Sequence, residues 1–277
     1  IETREEAVNF INGFVNVLSD RAGVLPTIDV KIQEAADPYR AQRSEMEQIE
    51  TPAGSRLFNN PLEEAEDLSR SYMDSKSLEY KEGKAFNTID EKQAKRISDA
   101  FDAMKDDPTN PEVAAAYKAL AEETIDQFEF IIKAGYNVEI NNNEPYSSSG
   151  EMIEDLRTNK RMKIFSTESG FGDEAITEKQ RSENPLLQRT KYKDVNGEPL
   201  LVNDLFRFVH DFFGHAKRGN GFGAKGEENA WDVHSRMYTP QARRAMTSET
   251  RGQNSYVNFS GVNDEAFALR DKARKLR

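Results

Sequence analysis

Residues 200–220 read LLVNDLFRFVHDFFGHAKRGN, and this stretch decides how the rest of the chain is read. Leu201, Leu205, Phe208, Val209, Phe212 and Phe213 fall at helical spacing, so the segment is expected to be a helix with one buried face. Asn203 or Asp204 is placed to cap its start, and Gly214 weakens its end. The chain has 3 histidines in 277 residues. Two of them, His210 and His215, bracket HDFFGH, and the third, His234, follows 19 residues later. Residues five apart on an ideal α-helix point about 140° apart. The two imidazoles therefore meet only if the helix loosens between them, and Gly214 stands where that would happen.

The next stretch, GNGFGAKGEENAWDVHSRMYTP (219–240), begins as a loop. Gly214, Gly219, Gly221, Gly223 and Gly226 give a backbone able to approach a neighbour closely. A helix is expected to start near Glu227, with Glu227 and His234 seven apart on one face and Trp231 between them. Imidazole beside Asp211, Glu227, Glu228 and Glu249 is a donor set suited to Fe, Zn, Mn or Ni. The alternative is a buried histidine network held by hydrogen bonds alone.

Composition narrows the chemistry further. With 36% apolar and 31% charged residues and a net charge of −11, the chain is expected to be soluble, and general phosphate-backbone binding is disfavoured. A local basic patch stays open, for instance around Arg157 to Lys163 or in the tail RDKARKLR (270–277). There are no cysteines, which excludes disulfides, thiolate nucleophiles and Cys-ligated metal or iron–sulfur sites. No apolar run reaches the ~18 residues of a membrane span, and no signal peptide opens the chain. The expectation is a cytoplasmic location. The first residue, Ile1, suits a trimmed or processed chain.

The fold class expected is mainly α, of α+β type: a helical N-terminal region (1–135) and an α+β region (136–277) carrying the chemistry, or one continuous domain. An amphipathic helix is read over 4–20, from Ala7, Phe10, Ile11, Phe14, Val15 and Leu18. Residues 25–55, with Pro26, Pro38 and Pro52, read as an irregular arm. Helices follow over 61–83, over 88–107 with Thr88 or Asp90 as cap, and over 111–136, closed at Gly135. The short DDPTNP turn predicts that the last two pair as an antiparallel hairpin. NVEI (137–140) and MKIF (162–165) read as strands flanking a short helix, and 166–199 as loop.

HDFFGH resembles the iron-binding segment of the bacterial aromatic amino acid hydroxylases, whose pattern is H-D-x-F-G-H. The resemblance implies a mononuclear non-haem Fe(II) site with His210 and His215 as ligands. It implies a carboxylate as third ligand, and TSETRG is similar to the family's T-x-E-x-G with one residue inserted, which points to Glu249; Glu227 and Glu228 are the alternatives. The proline that follows the second histidine in that family is absent here, and no pterin pocket aligns. The stretches NPLL, FRFVHDFFGHA, GEENAWDVH and ETRGQNSYVNF are similar to an uncharacterised family of phage and bacterial genomes, which implies packaging in a phage virion beside other virion proteins.

On this reading Asp211 orients a metal-bound water, and His234 is a supporting group or proton shuttle with its tautomer fixed by a carboxylate. Arg251, Gln253 and Asn254 would grip a small-molecule or peptide substrate, with Trp231, Phe222 and Tyr256 as walls. Two other classes stay open. One is a Zn or Mn hydrolase in which Glu227 or Glu228 activates water. The other is a non-enzymatic virion protein with a structural histidine cluster.

Overall fold

The computed structural model describes residues 60–262 apart from 82, 84, 106 and 171–174. The helix expected over 4–20, the arm over 25–55 and the basic tail lie outside the described residues. What is described is mainly helical, with two small two-stranded sheets. No helix among the described residues is long and apolar enough to cross a membrane.

Three helices come first: α1 (Glu63–Ser75), α2 (Glu91–Asp102) and α3 (Pro111–Lys133). The Asp90 side chain caps α2 by accepting from Gln93 N. Asn110 caps α3, Pro111 fills its first position, and Gly135 (φ 90°) takes the left-handed turn beyond its end. The expected α2–α3 hairpin does not form. Instead α2 packs on the last described helix, because its apolar face is completed there: Phe101 lies 5.7 Å from the Tyr256 ring and against Gly252. The turn length permitted a hairpin, but the ring that partners Phe101, Tyr256, lies 155 residues further along the chain.

Strands β1 (Asn137–Asn141) and β2 (Arg161–Phe165) pair in parallel, Val138 opposite Met162 and Ile140 opposite Ile164, with α4 (Ser149–Asn159) as the crossover. The helix and both strands match the expectation from alternation. The segment 166–199 is more ordered than its glycines and prolines suggest. It holds α5 (Thr167–Gly170), α6 (Glu178–Glu183), a 3₁₀ turn (Pro185–Leu187) and strand β3 (Arg189–Lys193), which pairs antiparallel with β4 (Pro199–Leu201) around Gly197 (φ 88°). The exposed, charged residues of β3 hid it, since alternation there is between exposed and half-buried positions.

The quoted stretch becomes α7 (Val202–His210), then a π-helical turn (Asp211–Ala216). The start of α7 is fixed by Asp204, whose buried carboxylate accepts from Leu201 N (2.8 Å), Thr167 N (2.9 Å) and Thr167 Oγ1 (2.6 Å). The expectation of a single buried face understates this helix. Every residue of α7 except Arg207 is buried, because it runs between two apolar clusters. Leu205, Phe208, Val209, Phe212 and Phe213 join Tyr72, Phe128, Ile131 and Met152 on one side; Val202 and Phe206 join Leu120, Tyr238 and Met246 on the other. Both clusters draw on α3, so residues on the two sides of position 135 share one interior. The chain continues through α8 (Ala224–Ser235), α9 (Pro240–Thr247), a second π-helical turn (Ser248–Gly252) and α10 (Gln253–Phe259).

Candidate metal centre

The conflict between a five-residue spacing and a shared ligand is resolved by the π turn. Its i→i+5 bonding stacks residues five apart one turn above the other, where an α-helix would splay them. The His210 and His215 ring centroids lie 5.2 Å apart with their planes nearly perpendicular. Gly214 takes part, but differently from the expectation: the helix widens and does not end there. A Cβ at position 214 would stand 3.1 Å from Ala230 Cβ and 3.3 Å from the His210 ring, so glycine is needed for close packing of α8 on the turn. The glycine loop likewise allows backbone to meet backbone. A Cβ on Gly226 would fall 1.8 Å from Gly221 O.

That approach carries Glu227, in the first turn of α8, to the two histidines. Its Oε2 lies 3.2 Å from His215 Nε2 and 3.6 Å from His210 Nε2. One ligand atom from each of His210, His215 and Glu227 lies within 4.8 Å of the others. Asp211 Oδ1 is 4.0 Å from His215 Nε2. A half-buried carboxylate between two imidazoles is a cation-binding arrangement.

Two further facts fit a cation. His215 Nδ1 lies 3.2 Å from the Asn220 carbonyl oxygen, which can only accept; Nδ1 therefore carries a proton, and Nε2 faces the Glu227 carboxylate. His210 Nε2 is buried and has no hydrogen-bond partner. Two imidazole nitrogens directed at one carboxylate oxygen call for positive charge between them, supplied by ring protons or by a bound cation. Asn220 is itself locked, donating from Nδ2 to Gly214 O at 2.8 Å.

His234 does not reach the cluster directly. It is fully buried behind His210, Nδ1 to Nδ1 at 3.1 Å, and its Nε2 lies 3.0 Å from Gln127 Oε1 on α3. The group expected to fix its tautomer was a carboxylate; the structure supplies an amide. Burial, then the neighbouring His210, Lys217 and His215, push the His234 imidazole well below its usual pKa, so it stays neutral.

The remaining candidates are placed as follows. Glu249, on the second π turn, lines the same cleft as His210 and Glu227 but stands outside the three-residue cluster, accepting from Tyr117 Oη and from Gln253 Nε2 (2.6 Å). Glu228 is paired in two-point fashion with Arg251, whose guanidinium also stacks 4.1 Å from the Trp231 ring. Asn254 donates to Ala224 O, and Trp231 Nε1 to Thr247 Oγ1. Arg251 and Asn254 thus tie α8 to the second π turn and α10, Trp231 ties it to α9, and Gln253 holds Glu249 within the turn, while the cleft is lined by others. Of the expected aromatic walls, Phe222 does line it, 5.0 Å from the His215 ring, while Tyr256 packs on Phe101. Glu144, Tyr146, Arg207 and Thr250 also line the cleft and were not singled out in the sequence, while Lys163 and Asn203 line it after being read only as part of a basic patch and as a helix cap.

Gln127 and Asn220 were also missed. Gln127 had a readable signal, since it occupies the same stripe as Leu120, Thr124, Phe128 and Ile131, where a polar residue must be satisfied internally. Asn220 acts through its main-chain carbonyl and had none. Neither a protein-family model, nor a curated protein, nor a solved structure matches this chain.

Proposed function

We propose that this protein binds a single divalent metal ion through His210, His215 and Glu227 and works as a mononuclear non-haem iron oxygenase of hydroxylase type. The observation that carries the reading is the convergence of three ligand atoms within 4.8 Å, two of them imidazole nitrogens and the third a carboxylate oxygen. Two histidines and one carboxylate are the donor set of non-haem Fe(II) oxygenases, which leaves positions for O₂ and substrate. The iron supplies oxygen activation; the chain supplies the rest. Phe206 and Phe222 limit water at the cleft, and Arg207, Lys163 and Asn203 offer a polar wall for orienting a substrate. Asp211 stands beside His215 to hold a proton or water near the ion.

Asp211 is also the observation that favours a second reading. A carboxylate 4.0 Å from a ligand nitrogen suits a Zn or Mn hydrolase in which it activates the attacking water. Reconstitution separates the two. Anaerobic loading with Fe(II), Zn(II) or Mn(II), followed by metal analysis and oxygen-uptake assays, is expected to give one ion per chain and O₂ reactivity with iron only. Failure of the protein to take up any of the three ions would sink both readings.

A further inference from the structure

We infer that Gln127, on α3, is a positioning residue for the metal centre: acting through His234, it fixes which nitrogen of His210 carries the proton. The inference rests on the proposed metal site for its functional meaning, while the tautomer order stands on hydrogen-bond geometry alone. Gln127 is fully buried, and its Nε2 donates to the Met237 carbonyl at 3.4 Å. A carbonyl only accepts, so the amide is oriented with Oε1 toward His234 Nε2, 3.0 Å away. An amide oxygen also only accepts. His234 Nε2 is therefore protonated, and in a neutral imidazole Nδ1 is then the acceptor. His210 Nδ1, 3.1 Å from that acceptor, has to donate. The His210 Nε2 lone pair is left pointing at the cluster, 3.6 Å from Glu227 Oε2 and with no hydrogen-bond partner.

The relay works against a local preference. Without metal, the Glu227 carboxylate favours a proton on His210 Nε2, which would donate to it and abolish the ligand lone pair. That reversed order needs His210 Nδ1 to accept from His234 Nδ1 and leaves a lone pair at His234 Nε2. The Gln127 oxygen opposes this lone pair with another, so the amide holds His210 ready to ligate. Replacing Gln127 by an apolar residue of similar size removes the opposition, and the reversed order becomes the stable one. A buried, protonated carboxyl at 127 donates its O–H to the Met237 carbonyl and offers its C=O to His234 Nε2, which preserves the order.

The experiment uses apo protein labelled with ¹⁵N in the imidazoles, read by long-range ¹H–¹⁵N correlation, together with Zn(II) affinity from chelator competition. Wild type is expected to show His210 as the Nδ1–H tautomer and His234 as Nε2–H. Gln127→Leu is expected to move His210 to Nε2–H and weaken Zn(II) binding by about 10–100-fold, the range for losing a group that orients a ligand. Gln127→Glu is expected to keep both tautomers and most of the affinity, a rescue that a merely space-filling role would not produce. Wild-type His210 found as Nε2–H, or Gln127→Leu with unchanged tautomers, would overturn the inference. Should Gln127→Leu not fold, the wild-type and Gln127→Glu tautomers still decide. The stated tautomers in a wild-type protein that takes up no Zn(II) would refute the metal reading and leave the relay standing.

Discussion

Gly226→Ala tests the packing that delivers Glu227 to the histidines. In the first turn of a helix with ordinary backbone angles, this change normally stabilises by about 0.5–1 kcal/mol, since alanine has the higher helix propensity and loses less backbone entropy. Here the added Cβ would stand 1.8 Å from Gly221 O, 2.5 Å from Gly221 C and 2.9 Å from Gly221 N. All three are backbone atoms, so no rotamer change relieves them. Restoring ordinary contact needs a shift of more than an ångström between the glycine loop and the start of α8. Overpacking of this kind costs about 1–3 kcal/mol, and a rigid backbone partner places it at the upper end. The expected net loss is about 2 kcal/mol, a fall in Tm of roughly 4–8 °C for a chain of this size. Urea denaturation of wild type and variant measures it. Because residue 227 follows directly, metal affinity should fall as well, even where the variant is fully folded. Gly214→Ala is the internal comparison: its tightest contacts are 3.1–3.3 Å, so its loss should be smaller. A Gly226→Ala protein as stable as wild type, or more so, would refute the close approach and with it the account of how Glu227 is placed.

Other perturbations probe separate parts of the structure. His210→Ala, His215→Ala and Glu227→Gln are each expected to abolish stoichiometric metal uptake, whereas Glu249→Gln keeps it; metal analysis after desalting decides, and loss confined to Glu249→Gln would transfer the carboxylate role there. Asp204→Ala removes the acceptor of three buried hydrogen bonds at the start of α7 and is expected to cost about 3 kcal/mol in urea denaturation; a loss under 1 kcal/mol would refute its anchoring role. Lys217 is buried, with Nζ donating to Ser69 Oγ at 3.0 Å, and desolvation lowers its pKa to about 8. Below that pH the ammonium is charged in both states and its burial opposes folding. Between about 8 and 10.5 the folded state has lost the proton that the unfolded chain still binds, so stability rises with pH by up to about 1.4 kcal/mol per unit. Relative to Lys217→Met, wild type should therefore gain stability across that window, and parallel pH profiles for the two proteins would refute the assignment.

Particular residues show where the sequence was sufficient. Helix starts at Asp90 and Asn110, the turn at Gly135 and the strand–helix–strand unit over 137–165 depend on neighbours within a few positions, so local pattern determines them. The pairing of His210 with His215 was legible as a demand for local loosening around Gly214, without the form it would take. The choice among Glu227, Glu228 and Glu249 was not legible. All three are acids at helix-compatible spacing, and what separates them is long-range: Glu227 is carried in by contact of Gly226 with Gly221, Glu228 is taken by Arg251, and Glu249 by Tyr117 and Gln253.

The sequence alone determined the ligand chemistry on offer, because residue type and near-neighbour spacing set what a segment can donate. The tertiary structure alone decided which carboxylate meets the imidazoles and which buried amide orders their protons. Those outcomes turn on distances between α3, the π turn and α8, and such distances follow from how buried side chains pack across the fold.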